Sequence, residues 1–143
     1  VAFYDDERAA IEAHFATQWG STTKIRYDNI NWIEPKTESA WVSITIVNQE
    51  AEIIELRNPA IYRFPGVVIV QVFVKEGLGS GLANIHADAA VEAFRHRVLE
   101  QGSSGKINFR TPYKRRIGTE NGWYQVNVVA PFFRNVLLTK PAI

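Results

Sequence analysis

The residues able to do chemistry in this chain are few, and their spacing decides what they can do. Gly77, Gly79 and Gly81 make a glycine corner, "GLGSG". A dinucleotide-binding turn would need its third glycine at the position held by Leu82. A P-loop would need Ser or Thr after Gly105-Lys106 and a glycine where Glu100 stands, and Ile107 follows instead. The corner therefore reads as a flexible turn that opens a helix. Ser80 lies between Gly79 and Gly81, the wrong spacing for a nucleophile elbow, and Ser103 and Ser104 have no histidine near them in sequence. His86 and Asp88 are two apart, so on a helix they do not share a face, and Ala90, which would share it, cannot ligate a metal. His14, His86 and His96 read as surface or helix-face residues. Asp5, Asp6 and Glu7 suit the first turns of a helix, where carboxylates favour the dipole. Glu50, Glu52 and Glu55 read as a solvated edge or loop, not as two unequal carboxyls in a cleft. No catalytic, cofactor-binding or metal-binding residue is assigned, and the expectation is a protein that is not an enzyme.

Two features remain. Tyr113 precedes the basic run Lys114-Arg115-Arg116, which can contact phosphates, meet an acidic protein surface, or form a solvated hairpin arm. Aromatic residues are abundant, with 4 Trp, 5 Tyr and 8 Phe in 143 residues. Aromatics and arginine are enriched in protein interfaces, so this composition points to an assembly component. The candidate subunit or partner contacts are Trp32, Tyr113, Lys114, Arg115 and Arg116. They lie in two polar interruptions, Asp28 to Ser39 and Tyr113 to Asn121.

The elements that must position these residues follow from the apolar pattern. Apolar residues are 46% and charged residues 22% of the chain, a globular balance. The net charge of +1 argues against a dedicated nucleic-acid binder, and cysteine is absent, which removes disulfides and thiolate chemistry. The first residues, "VAFYDDERAA", do not read as a secretory signal, and "FPGVVIVQVFV" is too short to span a membrane. Residues 3–18 read as a helix with Phe3, Ile11, Phe15 and then Trp19 on one face, stopped at Gly20. Lys24 to Tyr27 reads as a strand, followed by a turn at Asp28-Asn29. Val42, Ile44 and Ile46 alternate with Ser43 and Thr45 in a half-buried strand. "AEIIEL" and "AIYRFP" are weaker strands separated by Asn58-Pro59. "GVVIVQVFVKEG" is the strongest strand, with Val68, Val70, Val72 and Val74 on one side and enough apolar residues on the other to suggest cover there too. Leu82 to Glu100 reads as a second helix, with Leu82, Ile85, Ala89 and Ala93 in one stripe widened by Ala90, Phe94 and Val98, closed by "QGSSGK". "KINFRTP" is a short strand. In the last strand Tyr124, Val126, Val128 and Ala130 share a face, and Pro131 is expected to end its regular pairing or mark an edge. The expected fold is one α+β domain over residues 1–143, a mostly antiparallel sheet with two helices on one face in the order helix, strands, helix, strands.

The strings "RYDNINW", "WVSITIV", "FPGVVIVQVFVKEGLGSGLANIHADAAVEAFR", "INFRTP" and "GWYQVNVVAPFFR" resemble the tail terminator (tail completion) proteins of long-tailed phages over nearly the whole chain. None of these strings is a catalytic motif. The resemblance implies an α+β fold and a structural virion protein without cofactor. It implies a hexameric ring of identical subunits on the head-proximal end of the tail tube, assembled in the host cytoplasm. Such a ring stops tube polymerisation and joins the connector or neck proteins of the head, and DNA passes through it without sequence-specific binding. The alternatives are another head–tail neck or joining component, and a small nucleic-acid-binding domain.

Overall fold

The computed structural model describes residues 3–100 and 105–139, so Ser103, Ser104 and most of "QGSSGK" fall outside the described residues. Among them are two helices and eight strands: α1 (Phe3–Trp19), β1 (Lys24–Tyr27), β2 (Ala40–Asn48), β3 (Glu52–Glu55), β4 (Ala60–Lys75), α2 (Gly81–Phe94), β5 (Val98–Glu100), β6 (Lys106–Phe109), β7 (Tyr113–Glu120) and β8 (Trp123–Leu138). The fold is α+β in the expected element order.

The sheet is organised by β4 and β8, each 16 residues long and paired in register from Ala60↔Leu138 to Lys75↔Trp123. Each long strand has two shorter neighbours end to end on its outer side. β2 and β3 flank β4, and β7 and β6 flank β8, giving the path β1-β2-β4-β8-β6-β5 with β3 and β7 alongside. All pairs are antiparallel except β1 with β2.

The period-2 valines bury one face of this sheet. Val68, Val70, Val72, Val74, Val128 and Ala130 are fully buried. Both helices lie over that face. α2 presents Ala83, Ala87, Ala90 and Ala93, whose small side chains let the helix lie close to the sheet. α1 presents Ile11, Phe15 and Trp19. An aromatic chain ties the layers together, with ring centroids 5.2 Å apart for Trp19–Phe15, 5.9 Å for Phe15–Phe94, 4.9 Å for Phe94–Phe109 and 5.7 Å for Phe109–Phe132. Gly20, at φ 59°, ends α1 by donating its N–H to the Ala16 carbonyl at 3.0 Å.

Several expectations are corrected. "AIYRFP" is not a separate strand but the first part of β4. Pro131 does not end pairing, since β8 runs on to Leu138. Its carbonyl accepts from the Arg110 N–H at 2.8 Å, so its polar backbone faces away from β4, where the neighbour changes from β7 to β6. Pro65 mirrors it: its carbonyl accepts from the Gln49 N–H at 3.0 Å, on the β2 side of β4. Neither missing N–H falls in the β4–β8 ladder. The second helix stops at Phe94, not Glu100. Arg95 is extended, His96 has φ 55°, and Val98–Glu100 pair with β6. The expected stripe on α2 is rotated accordingly: Ile85 and Val98 are exposed, while Ala83, His86 and Ala87 are buried. Among the described residues no helix covers the second face of β4. Val67 and Ile69 are half-buried there, with cross-strand neighbours Val47 and Pro131 for the first and Thr45 and Val129 for the second.

Candidate assembly surfaces

The open face of the sheet is polar across its middle. Register places Arg26, Ser43, Gln71, Asn127 and Arg115 in one row across five strands. Arg26 donates from Nε to Ser43 Oγ at 3.2 Å, and Gln125 donates to Asn127 at 2.9 Å. Four strand spacings of ~4.8 Å put Arg26 and Arg115 roughly 19 Å apart.

At the hairpin end of the same face lies an aromatic cluster. Trp41 stacks on Phe73 at 4.1 Å, meets Trp123 edge-on at 6.0 Å, and is covered by Trp32 at 5.2 Å. Arg26 lies over the Trp41 ring at 5.2 Å. Trp32 is thus partly spent on closing the aromatic cluster within its own chain, and it is half-buried.

Tyr113, Lys114, Arg115 and Arg116 are all exposed on β7. The pleat separates them. Tyr113 and Arg115 register with Val129 and Asn127 on the open face, while Lys114 and Arg116 register with Val128 and Val126 on the helix side. Lys114 donates to Asn84 Oδ1 at 2.8 Å, and Arg116 lies 6.0 Å from the Tyr124 ring. The basic run is therefore not one patch. Trp32 and these β7 residues are not brought together either: Trp32 lies over Trp41 of β2, and β4 and β8 separate β2 from β7. A bulge between Arg116 and Gly118 bends the arm, and Asn121-Gly122, both with positive φ (53° and 83°), close the two-residue hairpin to β8.

The residues that the sequence concealed are Glu7, Asn48 and Arg134. Glu7 is 1% exposed and Arg134 is fully buried. Arg134 Nε stands 3.5 Å from Glu7 Oε1, an ion pair, and Asn48 donates to Glu7 Oε2 at 2.7 Å. Burial pushes the Glu7 carboxyl up from its ordinary value, against the lowering effect of Asn48 and Arg134. The signal was present: Glu7 lies four residues before Ile11, on the stripe that continues through Phe15 and Trp19.

Glu7 lines a cleft of about 330 Å³ with Asp5, Arg8, Glu12 and Asp28. A second hollow of about 370 Å³, lined by Ala13, Tyr27 and Ile30, shares Arg8 and Glu12 with it. Burial, reinforced by Glu12, raises the Tyr27 hydroxyl pKa. His86 is buried against Trp19 at 5.8 Å, and burial lowers its pKa. His14 bonds through Nε2 to the Ala93 carbonyl at 2.6 Å, linking the helices. Among the described residues no three His, Asp or Glu side chains are grouped to hold a metal, and no helix is long and apolar enough to cross a membrane.

The far end of the sheet is apolar and exposed. Ile53, Ile54, Leu56 and Leu137 sit on β3, β8 and the loop after β3, with Leu56 87% exposed. An exposed apolar group of this kind is a feature that protein-contact surfaces share.

Comparison with known proteins agrees with this character. No curated protein matches the chain. Nine solved chains match this one, and one of them has the same fold, with a TM-score of 0.72 and 16% identity, covering 99% of this chain and 100% of that one. The family model for the phage tail terminator protein matches residues 8–132, from the first helix to the middle of β8. The chain belongs to the phage tail terminator protein family.

Proposed function

We propose that this phage tail protein forms a closed ring, hexameric as the family resemblance implies, that caps the tail tube, stops its growth and offers its outer face to the neck of the head. The observation that carries the reading is that the two sides of the sheet end in unlike outer strands, β1 and β3 on one and β7 and β5 on the other. Unlike edges favour a head-to-tail contact, which closes into a ring when the rotation per subunit fits. The exposed apolar end at Ile53, Leu56 and Leu137 suits a different protein, such as the terminal ring of the tube. The opposite ring face must differ from the tube, or growth would continue. No step in this work requires a cofactor or catalysis. The split of Lys114 and Arg116 from Arg115 weakens the nucleic-acid alternative, since no continuous basic patch results. DNA would then pass through the ring without sequence-specific contact.

Electron microscopy of particles from the parent phage lacking this gene tests the reading. Overlong tubes that never join heads are expected. Tails of normal length beside separate filled heads would assign a joining role in the neck instead.

A further inference from the structure

The groove beside α1 and the arm β7 lie on opposite edges of the sheet and match each other. Register sets Tyr27, Ile44, Val70, Val128 and Lys114 in one row, and Ile25, Val42, Val72, Val126 and Arg116 in the next. Both rows point to the helix side. Lys114 therefore stands at one end of the row whose other end is Tyr27, followed by Asp28. β1 and β7 run in opposite directions, and both are four residues long before the bulge in β7 interrupts it, Lys24–Tyr27 and Tyr113–Arg116.

The groove itself is of two halves. One is lined by four carboxyl residues, Asp5, Glu7, Glu12 and Asp28, with Arg8 among them and Arg134 beneath Glu7, which leaves Asp28 without a cation at ion-pair distance among the described residues of the groove. Arg8 is engaged by Asp5 and Glu12 at 2.9 Å each. Glu7 Oε1, deeply buried, accepts no hydrogen bond and has Arg134 only at ion-pair distance, 3.5 Å. The other half is apolar, formed by Ala13, Tyr27 and Ile30, and Ile30 is 64% exposed. The β7 edge repeats this composition with opposite charge: Lys114 and Arg116 on the helix side, and Ile117, 45% exposed, beside them.

We infer that the groove between α1 and β1 receives the β7 edge of a second copy of this chain, with Lys114 directed at Asp28 at its acidic half and Ile117 at the apolar half. This rests on the ring reading above and names the contact that closes the ring. Lys114 gives up only an exposed bond to the neutral Asn84 amide, which water replaces readily. Like charges brought together at such a contact are strongly disfavoured, and opposite charges set its register.

The test uses Lys114→Glu and Asp28→Lys in the full chain, with circular dichroism to establish folding and Lys114→Gln and Asp28→Asn as milder variants. Ring formation is read by native mass spectrometry and by electron microscopy of rings on purified tail tubes. Each charge reversal is expected to raise the concentration needed for rings at least tenfold, and added salt is expected to weaken wild-type rings. The variant carrying both reversals should recover rings. An equimolar mixture of the two single variants should recover them as well, because native and exchanged contacts can alternate. Wild-type rings with unchanged rings in both single variants would overturn the contact and leave the ring reading intact. Loss in both without recovery in combination would show that Lys114 and Asp28 meet different partners, and would also overturn it. A wild type that forms no ring, free or on tubes, would remove the ring reading itself.

Discussion

Glu7 and Arg134 meet under α1 with 1% and 0% of their side chains exposed, joining the first helix to the last strand across the sequence. Such a pair is costly to desolvate, and costlier to break on one side. Glu7→Leu alone is expected to destabilise the fold by roughly 3–5 kcal/mol, because the Arg134 charge loses its counter-charge inside the core. Glu7→Leu with Arg134→Met is expected to recover most of that loss. Urea denaturation of the four proteins gives the coupling directly; additive losses would show that the two side chains act independently.

Acidity should act on two buried groups in opposite senses. Burial raises Glu7 above its ordinary 4.5, so the folded chain holds this proton more tightly than the unfolded one. The contribution of Glu7 is then complete below pH 4.5 and declines as pH rises through the raised folded value. Burial lowers His86 below its ordinary 6.5, so the unfolded chain takes the proton first. Its contribution is present above pH 6.5 and is lost as pH falls toward the lowered folded value. Stability curves against pH for Glu7→Gln and His86→Leu should each lose the matching slope; curves parallel to wild type would contradict the assignment.

Gly66 is opposite Phe132 in the central pair, and a Cβ added there would stand 2.6 Å from Phe132 Cζ and 3.0 Å from the Val47 carbonyl. Phe132 is 1% exposed and cannot swing out. Gly66→Ala is expected to cost about 1–3 kcal/mol from overpacking. The same change in a Phe132→Leu background should cost less, which thermal unfolding of both pairs would reveal.

Leu56 and Ile53 should be dispensable to the fold and needed by the partner. Leu56→Ser with Ile53→Ser is expected to alter stability by no more than about 0.5 kcal/mol per site. Co-sedimentation with purified tail tubes is expected to fall sharply. Full retention of tube binding would move that contact to another face.

Much of this architecture was legible because one face of the sheet is strictly alternating. Val68 to Val74 and Tyr124 to Ala130 announced their buried side, and Gly20 and Asp28-Asn29 announced their turns. What stayed hidden depended on neighbours far away in sequence. Phe94 ends α2 although helical apolar spacing continues to Val98, because pairing with β6 claims the residues beyond. Pro131 reads as a terminator until the change from β7 to β6 beside it is known. Glu7 reads as a helix-start charge until Arg134 arrives beneath it, more than a hundred residues later. The five candidate contact residues are chosen by type alone, and their separation, Trp32 over β2 and the other four on two faces of β7, follows from strand pairing between distant segments.

The prolines and Gly66 also make the central pair self-indexing. Two apolar strands of this length offer many near-equivalent alignments. A slip of one residue needs β8 turned over, which aims the Pro131 nitrogen into the β4 ladder where no N–H exists to give, and sends the valines of the core to the opposite side. A slip of two keeps that parity but carries the Phe132 ring from the one place with room for it, over Gly66, to a neighbour with a Cβ, Phe64 or Val68. Odd errors are rejected by a missing hydrogen and even errors by a missing side chain, so a sixteen-residue zipper has one position in which it closes.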